Sequence, residues 1–164
     1  MSSEVGVTTA EFRRACGRFA TGVTIASVLD EHGTPHGLTV SSFTSVSLDP
    51  PLILICLGHG VSAFDAFRAS VHLGINVLAE DQRDLAERFT QKGQDRFDGL
   101  KWRRGKTGVP LLPGVLTAIE CAVQQRFTAG DHDIFVAEMV VARVAGGEPL
   151  IHFAGAYRSL DVSR

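Results

Sequence analysis

From Gly114 onward the sequence reads as strands and nothing else, and this constrains the fold more than any other feature. Three β-type segments, at about 115–128, 133–145 and 149–154, are separated by turns at Ala129-Gly130-Asp131 and Gly146-Gly147. Consecutive strands of this kind do not fit a regular βα alternation around a parallel sheet. The first half agrees. Thr8-Thr9-Ala10-Glu11 is a capping box that opens a helix with Phe12, Cys16 and Phe19 on one face. A β-branched run predicts a strand over 21–28, and DEHGTP (30–35) predicts a turn. Alternation predicts a second strand over 37–46, which Asp49-Pro50-Pro51 stops. An apolar run predicts a buried strand over 52–57, Ser62 caps a short helix to about Arg68, and 71–78 returns as a strand. An amphipathic helix over 81–91 carries Leu85, Ala86 and Phe89, and a long polar loop covers 92–109. Short strands in such number protect their edges best by closing into an antiparallel barrel.

The 164 residues are expected to make a single domain over 1–164, with its core at about 12–160. Hydrophobic residues at 45% and charged residues at 21% are globular proportions, so disorder is excluded. A net charge of −2 gives no reason to expect nucleic acid or a membrane surface as a partner. The longest apolar stretch, Pro50 to Leu57, is far too short to span a bilayer, and the N-terminus lacks a signal-peptide pattern. A cytoplasmic protein is expected. Cys16, Cys56 and Cys121 are odd in number and lack CxxC spacing, so they read as apolar residues of a reducing compartment, with neither disulfide nor metal.

Four constellations could carry chemistry. Gly58-His59-Gly60-Val61-Ser62-Ala63 fits the dinucleotide fingerprint, with Glu80 downstream. Against it stand the short helix that follows and the β-rich sequence on both sides; a strand-to-helix turn that needs glycine is the competing reading. Thr39 to Ser45 carries five hydroxyls in seven residues, either the solvated face of an edge strand or donors for a polar ring edge or phosphate. Between Arg83 and Lys106 lie eight basic residues, half of the chain's total, among four acids. Some of these are surface charges and others are candidates for a phosphate contact. Gly130-Asp131-His132-Asp133 is either a plain hairpin tip or an imidazole oriented by a carboxylate for contact with a substrate.

Together these segments resemble the short-chain flavin reductase family, the reductase components of two-component flavin-dependent monooxygenases. The resemblance is carried by FATGVT (19–24), GLTVSSFTSVSLDPP (37–51), INVL (75–78), DRF (95–97), GDH (130–132), Pro149-Leu150 and Gly155-Ala156-Tyr157. It implies a mainly β, Greek-key-like, FMN-binding split β-barrel with a few flanking helices, as a homodimer. It also implies hydride transfer from NADH or NADPH to FMN or FAD, and diffusive delivery of reduced flavin to a monooxygenase component. By that resemblance Thr39, Val40, Ser41, Ser42 and Phe43 line the isoalloxazine with Ser45 close by, and Ser62, Ala63 and Phe64 approach the ribityl phosphate. Asn76, Arg88, Phe89 and Lys92 complete the flavin pocket. His132, as the catalytic contact, and Gly155, Ala156 and Tyr157 meet the nicotinamide dinucleotide. Many relatives carry Asn where this chain has Ser42, so an amide contact is missing or replaced. The alternative from another class is a non-catalytic split-barrel protein that holds flavin or haem; a Rossmann-type dehydrogenase with no need for flavin is a third.

Overall fold

The structure, a computed structural model, describes residues 6–160 of the chain. Helix α1 (Thr9–Cys16) starts at the expected capping box: the Thr8 hydroxyl accepts from the Glu11 amide at 3.2 Å, and the Glu11 carboxylate accepts from the Thr8 amide at 2.9 Å. It buries no side chain of its own. After the short β1 (Thr21–Gly22), seven strands form one antiparallel sheet. They are β2 (Thr24–Leu29), β3 (Pro35–Val40), β4 (Thr44–Leu48), β5 (Pro51–Gly58), β6 (His72–Val77), β9 (Thr117–Ala129) and β10 (His132–Val144). Their spatial order is β3-β2-β6-β9-β10-β5-β4. The outermost strands, β3 and β4, are consecutive in the chain, so the sheet curls until its two edges meet at Ser41–Phe43, and the barrel is split there.

This meeting corrects the expectation of one strand over 37–46. The Ser42 hydroxyl donates to the Cys56 carbonyl at 3.1 Å and accepts from the Cys56 amide at 2.8 Å, pulling the chain off the edge of β3 and onto β5. The barrel interior is filled by alternate residues of its strands: Ile53, Ile55 and Leu57 of β5, Phe135 and Ala137 of β10, and Leu73 and Ile75 of β6. Helix α2 (Phe64–Ala69) plugs one end with Phe67, which is fully buried. Ser62 does not cap it; Ala63 stands at the N-cap position without a side-chain bond.

A second core lies outside β2 and β6. Helix α3 (Arg83–Arg88), entered through a 3₁₀ turn at Glu80–Gln82 in place of the regular helix expected over 81–91, covers it together with the long loop. That loop is ordered by a two-strand ladder, β7 (Arg103–Arg104) on β8 (Pro110–Leu111), and by Glu120. The Glu120 side chain is buried, and its carboxylate accepts from the Lys106 amide and from the amide and hydroxyl of Thr107. Burial alone would raise its pKa, but these bonds outweigh it and the net shift is downward. A small sheet of β1, β11 (Ile151–Phe153) and β12 (Ala156–Arg158) completes the fold.

Every ladder is antiparallel, so the glycine fingerprint at 58–63 is a turn out of an antiparallel strand. No helix among the described residues is long and apolar enough to cross a membrane.

Candidate functional site

A cleft of about 460 Å³ opens beside the seam of the barrel. The end of β3 and the bend after it contribute Leu38, Thr39, Val40, Ser41 and Ser42, and the end of β5 contributes Cys56, Leu57 and Gly58. Val61 and Ser62 come from the following turn, Phe89, Thr90 and Lys92 from the end of α3, Arg96 from the long loop and His132 from β10.

Close approach of α3 to β3 makes this cleft, and Gly37 permits it. A β-carbon at Gly37 would lie 2.6 Å from the Phe89 ring, so any side chain there would push α3 away. The Thr39 hydroxyl then donates to the Ala86 carbonyl at 2.6 Å and its amide to the Phe89 carbonyl at 3.4 Å. Thr39 therefore shapes the wall by tying two elements together, and its hydroxyl is already committed. The Ser41 hydroxyl is exposed and has no hydrogen-bond partner among the described residues.

Charge in the cleft is one-sided. Lys92 and Arg96 line it and no carboxylate does. Arg96 is half-buried and braced by three oxygens: its Nε donates to the Gln91 carbonyl at 2.8 Å, Nη1 to the Gly37 carbonyl at 2.8 Å and Nη2 to the Ser62 hydroxyl at 3.3 Å. Burial lowers its pKa, yet a guanidinium stays charged, and no ion pair among the described residues neutralises it. A fixed, partly desolvated cation beside a hydroxyl is a receptor for an anion such as phosphate.

At the other side His132 projects from the first residue of β10, in the space that Gly58 leaves open. Its Nδ1 lies 2.7 Å from Asp131 Oδ1, and this bond is the main reason the Asp131 carboxyl is held below its ordinary pKa. The carboxylate claims Nδ1 as donor and leaves Nε2 for a ligand. Behind it, His59 Nε2 lies 2.9 Å from Asp133 Oδ1, which also accepts from the Thr128 hydroxyl at 2.9 Å. These two bonds hold the Asp133 carboxyl below its ordinary range.

The fold thus brings Thr39, Val40, Ser41, Ser42, Ser62, Phe89, Lys92 and His132 into one cleft. It places the other expected residues elsewhere. Asn76 is fully buried; its amide nitrogen donates to the Ile25 carbonyl and the Ser27 hydroxyl, and its oxygen accepts from the Leu112 amide. It joins the two cores and has nothing left for a ligand. Arg88 donates to the Arg96 and Asp98 carbonyls, so it braces the loop that carries Arg96. Ala63 and Phe64 turn into the barrel, Phe43 packs on the same core, and Ser45 is exposed on the edge strand β4. Gly155, Ala156 and Tyr157 form the β11–β12 hairpin, where the Arg83 guanidinium lies 5.9 Å from the centre of the Tyr157 ring, at the far end of α3 from Phe89. Arg96, Cys56, Gly58 and Val61 join the site without having been singled out for it; for Arg96 the DRF motif is the signal that could have done so. No group of three or more His, Cys, Asp or Glu side chains among the described residues is disposed to hold a metal ion.

Residues 16–161 match the flavin reductase like domain family. The chain is 43% identical over 152 residues to FMN reductase (NADH) SmoA of Agrobacterium fabrum, covering 93% of this chain and 86% of that protein. It is 39% identical to the reductase component of the flavin-dependent trigonelline monooxygenase of Acinetobacter baylyi, covering 90% of this chain but spanning only 47% of that protein. Among solved structures it is similar to Streptomyces globisporus C-1027 NADH:FAD oxidoreductase SgcE6 in complex with NAD and FAD fragments. The TM-score is 0.90 at 33% identity, with 99% of each chain covered.

Proposed function

The chain belongs to the flavin reductase-like domain family, and on that footing we propose that its cleft takes FMN or FAD and passes to it a hydride from NADH or NADPH. It is an NAD(P)H-dependent flavin reductase that supplies reduced flavin to a monooxygenase component, by diffusive transfer. The observation that carries the reading is the composition of the cleft: two cations and no carboxylate at one end, an apolar floor, and an Asp-oriented imidazole at the other side.

This donor set fits a flavin nucleotide. Arg96 and Lys92, with the Ser62 hydroxyl, hold the phosphate. Leu38, Val40, Leu57 and Phe89 keep water from the ring, and Ser41 with the backbone around it meets the polar edge. When bound, the flavin supplies the hydride-accepting ring. The protein's own contribution is positioning. Asp131 holds His132 at Nδ1, so that Nε2 meets the nicotinamide dinucleotide and sets it against the flavin. No side chain is required as a covalent nucleophile.

A homodimer completes this account. Leu52 and Leu54 of β5, Ile134 and Val136 of β10, and the half-exposed Phe127 of β9 share the outer face of the barrel and belong to neither core. The second core covers the barrel over β2 and β6, while among the described residues Leu52, Leu54, Ile134 and Val136 stay partly exposed and Phe127 half-exposed on this face, and the cleft opens at its rim through Cys56, Gly58 and His132. A second copy seated on it would bury the apolar strip and wall the cleft. The function is tested by supplying purified protein with NADH or NADPH and then adding flavin. Oxidation that begins only with FMN or FAD supports it, and oxidation indifferent to both flavins contradicts it.

A further inference from the structure

The flavin cleft does not end at Arg96. A second cleft of about 400 Å³ lies on the other side of it, and the two share Arg96 and Ser62 in their walls. The Arg96 side chain forms the waist between them, fixed by its bonds to Gly37 and Ser62. The second cleft is lined by Thr34, His36, Gly93 and Gln94 among others, and by one carboxylate, the exposed Asp95, whose Oδ1 accepts from the Phe97 amide at 2.9 Å. His36 is held in place through its Nε2, which lies 2.9 Å from Asp30 Oδ2. The Gln94 amide is exposed and has no partner among the described residues.

We propose that these joined clefts form one dinucleotide groove that makes FAD, not FMN, the preferred flavin of this chain. The inference rests on the flavin reading of the first cleft. A cation at the waist meets one phosphate of FMN, and the ligand then ends there. FAD carries a second phosphate and an adenosine beyond the first, so its diphosphate straddles Arg96 and its adenylate enters the second cleft. A planar imidazole and a free amide suit a purine, the first by stacking and the second by hydrogen bonding to the base edge. Neither residue touches the first cleft, so what they contribute is felt by the adenylate alone.

The test is flavin binding followed by fluorescence, without any nicotinamide nucleotide, so that FAD brings the only adenylate present. The unaltered protein is expected to bind FAD about tenfold or more tightly than FMN. Thr34→Trp, which fills the second cleft with an indole, is expected to remove that advantage and leave FMN binding as it was. His36→Ala and Gln94→Ala together are expected to do the same, and retained FMN binding shows that each variant has folded. Equal binding of the two flavins, or parallel loss of both in the variants, would overturn the proposal. So would a Thr34→Trp protein that keeps its FAD preference in this binding assay; a raised KM for NADH in a separate turnover assay would then assign the second cleft to the adenylate of the nicotinamide nucleotide. Failure of both flavins to bind the unaltered protein would overturn the flavin reading itself.

Discussion

The Ser42 hydroxyl stands between the amide and the carbonyl of Cys56, 2.8 Å from one and 3.1 Å from the other, and so bridges the two edges of the split sheet. A side chain thereby does at the seam what a ladder of backbone bonds does elsewhere in the barrel. Ser42→Ala leaves both Cys56 groups without this partner at a half-buried position, which costs about 1–3 kcal/mol. Urea denaturation is expected to show a lower midpoint with an unchanged slope. Because the same bend walls the cleft, flavin affinity is expected to fall as well, and an unchanged affinity would show that the seam does not shape the site.

Arg96 is expected to read phosphate and nothing else of the flavin. Arg96→Ala removes a charge-assisted contact worth about 1.5–3 kcal/mol, so the Kd for FMN should rise roughly ten- to a hundredfold. Riboflavin, which lacks the phosphate, should bind the variant and the parent alike. Arg96→Lys should not restore FMN binding, because the planar fork is already shared among Gln91, Gly37 and Ser62. Titration with both ligands checks all three statements.

His132 faces the second substrate. His132→Ala is expected to raise the KM for the nicotinamide nucleotide well above its effect on flavin affinity. Asp131→Asn should produce a milder version of the same change, because it loosens the imidazole at Nδ1 without removing it. Equal losses for the two substrates would refute this division of labour.

Stability should depend on pH through Asp30. Hydrogen bonding to His36 first, and then to the Thr34 and His32 amides, lowers its pKa from 3.8 to about 2. A carboxyl whose pKa falls on folding stabilises the protein above its unfolded value and loses that contribution as the pH drops through the folded one. Asp30→Asn should therefore have a lower Tm than the parent above about pH 4, with the gap closing towards pH 2. Melting curves across that range check the sign, and a gap that widens on acidification would contradict it.

The strand over 52–57 was legible from its continuous apolar run, but that run does not say which residues face the core. Ile53, Ile55 and Leu57 point inward, while Leu52, Leu54 and Cys56 stay on the outer face, as a half-buried strand requires. The 37–46 segment misleads because a strand and a strand interrupted by a crossing serine have the same local composition. Asn76 misleads for a different reason: its partners Ile25, Ser27 and Leu112 are distant in sequence, and no spacing reveals that a strand amide turns inward. Arg96 is one of eight basic residues between 83 and 106; the DRF motif marks it in the sequence, but its bonds to Gly37 and Ser62, which fix it in the cleft, appear only in the folded loop. Gly37 is legible as part of a motif, but its reason, the ring of Phe89 packed against it, belongs to tertiary structure.

The central claim is that this cleft transfers a hydride from a nicotinamide nucleotide to a flavin. The most direct measurement mixes protein, NADH and flavin without oxygen and follows both absorbance bands. The account predicts that the flavin band bleaches in step with NADH loss, mole for mole, at a rate proportional to protein. A bound flavin whose spectrum stays oxidised while NADH persists would contradict it, and would mark the chain as a flavin carrier.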